Sequence, residues 1–77
     1  MNLEQLGEAQ TASISDYAAN MQTSFKNRLQ DLGFCIGEPV TCLKRVPFGG
    51  PHVYCVAGAE FSLDRALARQ ITLHELT

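Results

Sequence analysis

The sequence predicts a mainly β fold, a small barrel of short strands with one helix early and a helical turn late. Three observations carry this. Turn signals recur about every 8–12 residues, the spacing of short strands. Apolar residues alternate with polar ones in most segments and follow a helical period in only one long stretch. Residues 44–52, Lys-Arg-Val-Pro-Phe-Gly-Gly-Pro-His, hold two of the three prolines and two of the six glycines between two β-prone segments. Proline lacks a ladder donor and glycine reaches positive φ, so this run cannot continue a strand and reads as a hairpin loop. A chain this short has few helices with which to cover sheet edges, and closing the sheet into a barrel removes them.

Taken in order, residues 1–8 are a lead-in where Leu3 and Leu6 allow one helical turn. In residues 10–17, Ala12, Ile14 and Asp16 alternate with Thr11, Ser13 and Ser15, giving a first strand centred on Ile14. A helix is expected over about 22–32, because Met21, Phe25, Leu29 and Leu32 are spaced to share one face. Thr23 or Ser24 would cap it, and Gly33 would end it. Lys26, Asn27, Arg28, Gln30 and Asp31 fall on its polar faces.

Pro39 opens a second strand over 39–46, with Val40, Cys42, Lys44 and Val46 on one side and Thr41, Leu43 and Arg45 on the other. Apolar members on both sides point to a curved or closed sheet. After the loop, residues 52–56 form the returning strand, with Val53 and Cys55 on one face and Tyr54 and Val56 on the other. Gly58 allows a turn into a short strand, where Ala59, Phe61 and Leu63 alternate with Glu60 and Ser62. A short helical turn near 64–69 follows, capped by Ser62 or Asp64, and Ile71 and Leu73 belong to a closing strand.

Composition bounds the function. Seventy-seven residues, 45% hydrophobic and 18% charged, suit one globular domain over 1–77. A net charge of -2 with one adjacent basic pair, Lys44-Arg45, argues against nucleic acid as a partner. The longest uncharged run, 46–59, is broken by prolines and glycines, so no membrane span is expected. The first ten residues carry Glu4 and Glu8 and no apolar run, so a cytoplasmic location with reduced cysteines is expected.

No catalytic constellation stands out: the serines sit at strand or cap positions and the carboxylates are scattered, so no enzyme is expected. Pro51 follows Gly49-Gly50 where a phosphate loop would need free N–H groups. Cys35, Cys42, Cys55, His52 and His74 lack the close-spaced pairs of a structural metal site, so no metal or cofactor is expected. Cys42 and Cys55 read as buried core, and the histidines as solvated strand positions. Phe48 is different, because a turn needs no phenylalanine. It is either an anchor for a partner or a lid folded over the barrel mouth.

Leu32-Gly33-Phe34-x-x-Gly37 resembles the turn after the helix in the FeoA family of ferrous iron transport proteins. Arg45-Val46-Pro47-Phe48-Gly49-Gly50-Pro51 resembles that family's proline-glycine loop, and Phe61-Ser62-Leu63 with Ala66 and Ile71 resembles its ending. Ile36 and Asp64 depart from it, standing where proline and arginine are usual. The resemblance implies an SH3-like barrel of five to six strands. It implies an accessory protein that binds and modulates the FeoB-type membrane iron transporter from the cytoplasmic side, touching the membrane only through that partner. The contact residues expected are Arg45, Pro47, Phe48, Gly49, Gly50 and Pro51, with Arg28 and Leu29 of the helix second. A similar SH3-like domain ends the iron-dependent repressors, which leaves open a regulatory or adaptor domain akin to theirs. The other alternative is a metal-responsive regulatory or sensor domain binding ferrous iron through cysteines and histidines.

Overall fold

Alternating segments joined by tight turns make a meander. In the computed structural model, which describes residues 1–75, the strands β2 (Pro39–Lys44), β3 (His52–Val56) and β4 (Ala59–Leu63) follow one another as antiparallel hairpins. Strand β1 (Thr11–Tyr17) pairs with β2 on one side and with β5 (Ile71–Glu75) on the other. The order is β4-β3-β2-β1-β5 in one five-stranded sheet. Its ends, β4 and β5, do not pair among the described residues, so the sheet curves around the core without the closure expected from the sequence. Chain passes from one end strand to the other through the short helix α2 (Arg65–Ala68), whose Ala68 is fully buried. Asp64 Oδ1 caps that helix by accepting the Ala66 N–H at 2.6 Å.

The core takes every second residue of the strands: Ala12 and Ile14, Val40 and Cys42, Tyr54 and Val56, Ile71 and Leu73. Burying each large side chain stabilises the fold by roughly 1.5–3 kcal/mol. The lead-in is part of this core. Leu3 and Leu6 are fully buried on a 3-10 turn (Leu3–Gln5), held by a reciprocal Asn2–Gln5 capping box. The Tyr54 hydroxyl donates to the Leu3 carbonyl at 3.2 Å, and its burial pushes the phenol pKa up to about 12.

Two bulges move side chains away from simple alternation. The β1–β5 register shifts between Ile14 and Asp16, so Asp16 turns to solvent and Tyr17 takes the inward place. Opposite Tyr54 and Val53, β2 shifts between Cys42 and Lys44, which leaves Lys44 exposed and ends the strand there.

Helix α1 (Thr23–Leu32) matches the expected span, with differences in cap and stripe. Its N-cap is Gln22 with no side-chain cap bond, in place of Thr23 or Ser24. Met21 is buried, but it precedes the first turn. Phe25, expected in the core, is 48% exposed, while Leu29 is 2% exposed. The helix rests on the core through its C-terminal half, and its first turn projects beyond it. Gly33 closes α1 with φ 108, and a Cβ there would lie 2.9 Å from the Ala57 Cβ.

On β3, odd and even positions separate. His52, Tyr54 and Val56 are buried, and Val53 and Cys55 are half-exposed. His52 is therefore a core residue, 1% exposed, and not the solvated position expected. Cys55, expected in the core, lies on the outer face. Among the described residues no helix is long and apolar enough to cross a membrane.

Candidate functional site

The β2–β3 loop is short, and its shape is set residue by residue. The Gly50 N–H donates to the Pro47 carbonyl at 3.3 Å, closing a four-residue turn. Its two central residues, Phe48 and Gly49, have φ of 57 and 79. Positive φ at both positions is the backbone of a type I′ turn, which glycine and asparagine favour. Gly49 adopts it freely. Phe48 does so at a cost on the order of 1–2 kcal/mol, because its Cβ crowds the following carbonyl. Gly50 has a steric role, since a Cβ there would meet Val46 Cγ1 at 2.6 Å.

The base of the loop is fastened from beneath. The Val46 N–H donates to His52 Nδ1 at 2.8 Å. Arg65, at the start of α2, reaches up from below: its Nε donates to the Gly50 carbonyl at 3.0 Å and its Nη2 donates to the Val46 carbonyl. Arg45 turns inward, donating from Nη1 to the carbonyls of Glu4 at 2.7 Å and Leu6 at 2.9 Å. Its backbone N–H donates to Glu8 Oε1 at 2.9 Å. At the centre sits one carboxylate: Glu4 Oε1 is 3.9 Å from Arg45 Nη2, from Arg65 Nη1 and from His52 Nε2. Burial, with the Arg45 and Arg65 charges adding to it, holds the His52 pKa below its ordinary value, and Glu4 opposes this. The imidazole is thus neutral near pH 7.

Of the residues expected to form the contact, Pro47, Phe48, Gly49 and Pro51 stand together in solvent, and Phe48 is fully exposed at the tip. It does not fold over the barrel mouth. Gly50 is half-buried. Arg45 is half-buried too, and its guanidinium is committed to the chain's own carbonyls, so what it offers outward is limited. Arg28 and Leu29 belong to a different feature, a groove beside α1, where Arg28 is exposed and Leu29 forms part of the floor. Glu4 and Arg65 were not legible as site residues. The Asn2-x-x-Gln5 capping pattern could have located the turn that presents Glu4; no local signal marks Arg65.

The sulfur and imidazole groups do not assemble. Cys42 is opposite Tyr54 and Cys55 is opposite Thr41, so the two cysteines occupy opposite faces of the sheet. Among the described residues, no three His, Cys, Asp or Glu side chains come together as a metal-binding group.

The family model described as the FeoA domain matches residues 1–74. Among solved structures, the FeoA protein of Chlorobium tepidum is 30% identical with a TM-score of 0.89, the match covering 100% of this chain and 71% of that one. FeoA of Stenotrophomonas maltophilia, described as an SH3 domain protein complexed with zinc, is 25% identical with a TM-score of 0.83 over 96% of this chain and 89% of that one. A manganese-dependent transcriptional repressor shares the fold alone, at 16% identity and a TM-score of 0.87, over 99% of this chain and 41% of the repressor. No curated protein matches the chain.

Proposed function

The chain belongs to the FeoA family, which is linked to ferrous iron transport and has an SH3-like fold, and from that premise we propose that it binds a FeoB-type iron transporter on its cytoplasmic side and modulates it by protein–protein contact. It is an accessory protein without catalysis of its own, resident in the cytoplasm. The Stenotrophomonas maltophilia relative is itself discussed as a bacterial ferrous iron transport activating factor.

The observation that supports this most is Phe48. An aromatic ring fully in water adds nothing to the core, and the left-handed backbone that carries it costs stability. Arg65 and His52 hold the turn beneath it in one shape, so the ring is presented with little left to order on binding. A rigid exposed aromatic flanked by proline and glycine has the character of an interface anchor. Pro47, Gly49 and Pro51 would surround it in the contact.

The experiment is capture of the transporter's cytoplasmic domain by the wild-type protein and by Phe48→Ala, with folding checked by circular dichroism. Capture by the wild type and its loss in a folded variant is the expected result. Equal capture by both would move the contact off the loop. Capture by neither, with and without nucleotide, would rule out docking on that domain.

A further inference from the structure

Between α1 and β4 lies an open groove of about 340 Å³. Phe25, Leu29 and Leu32 line it from the helix, and Phe61, Ser62 and Leu63 from the strand. Consecutive strand residues point to opposite faces. A cavity lined by three in a row therefore runs along the edge of β4 and does not sit on one face. That edge is free: β4 is an end strand, paired only with β3 among the described residues. Arg28 is the one charged side chain lining the groove, and it makes no ion pair among the described residues.

These features complement one kind of occupant. An unpaired strand edge offers N–H and C=O groups to a further strand. The apolar walls, with Phe25 half in water, favour side chains that leave water with them. A single guanidinium on the rim selects a carboxylate and rejects an ammonium. We propose that the groove binds an extended peptide segment, which adds to the edge of β4, seats apolar side chains against α1 and sets an acidic residue on Arg28. This rests on the reading of the chain as a protein-binding module and gives it a second contact, separate from the Phe48 tip.

The test is an amide chemical-shift titration of the labelled protein with the blocked peptide Leu-Ser-Glu-Ser-Leu, whose leucines and glutamate share one face of a strand, with its counterpart carrying lysine for glutamate, and with decanoate. The glutamate peptide is expected to shift amides of α1 and β4 and to slow exchange of outward-facing β4 amides. The lysine peptide should bind roughly tenfold more weakly, and Arg28→Glu should reverse that order. Phe48→Ala should leave the titration unchanged, so a failure here is distinct from a failure of docking at the loop. Absence of shifts with the glutamate peptide overturns the proposal, as does equal binding of both peptides. Decanoate acting where the peptide does not would make the occupant an aliphatic anion. Concentration-dependent shifts of the same amides without peptide would make it a second copy of the chain. Either result also overturns the proposal.

Discussion

His52 Nδ1 accepts the Val46 N–H at 2.8 Å, and this bond fixes the charge state of the ring. An accepting Nδ1 carries no proton, so the neutral ring holds its proton on Nε2, facing Glu4 at 3.9 Å. Nε2 is buried and has no hydrogen-bond partner among the described residues. A second proton would have to go to Nδ1 and would expel the Val46 N–H.

Stability therefore depends on pH with a defined sign. The folded-state pKa of His52 lies below its ordinary 6.5, so the unfolded chain takes up the proton first as pH falls. The contribution of the neutral ring is present above about pH 6.5 and is lost below it. Urea unfolding should show a falling midpoint from about pH 7.5 to about 5.5. His52→Asn, whose Oδ1 can accept the same N–H, should flatten that dependence. Identical slopes in the two proteins would remove His52 as the titrating group.

Phe48→Gly should stabilise the isolated protein by about 0.5–1 kcal/mol, because relief of the left-handed strain outweighs the added freedom of the unfolded chain. The same variant should lose partner capture. A gain in stability with loss of binding would separate the residue's two roles in one protein. A lower unfolding midpoint would mean that the ring supports the fold.

Gly50→Ala should cost about 1–3 kcal/mol, since its Cβ would meet Val46 Cγ1 at 2.6 Å. The clash names its own remedy. Adding Val46→Ala removes that methyl, so the double variant should recover part of the loss. Strict additivity in a double-mutant cycle would contradict this packing.

The cysteines should behave unequally. Cys42 is fully buried and burial pushes its pKa up, so Cys42→Ser places a hydroxyl in the core at a cost of about 1–3 kcal/mol. Cys55→Ser, on the half-exposed outer face, should stay within about 0.5 kcal/mol. Equal losses would contradict the opposite-face placement. Abolition of ferrous iron binding by either change would favour the sensor reading.

Local chemistry made much of this architecture legible. The β3 strand has the bounds its alternation predicts, α1 lies within its predicted span, and the loop is where proline and glycine put it. Long-range pairing was not legible. Neither bulge has a local signature: Asp16 and Lys44 turn outward because of how their strands meet neighbours. His52 looked solvated because the sequence does not say which face of β3 is inward. Arg45 reads as an exposed cation until the Glu4 and Leu6 carbonyls, brought close only by folding, are seen to receive it. The two candidate contacts divide the same way. The Phe48 tip follows from its own turn, whereas the α1–β4 groove exists only once separate segments are packed together.

The seam between β1 and β5 also orders events in time. The β2–β3–β4 meander closes short loops, while β1–β5 pairing and the bond from the Leu73 N–H to the Met1 carbonyl join the two ends of the described chain. Loop-closure entropy grows with length, so the meander can form early and the seam zips last. In stopped-flow kinetics, Val56→Ala in β3 should slow refolding, whereas Leu73→Ala in β5 should mainly speed unfolding. The opposite pattern would put the seam in the folding nucleus.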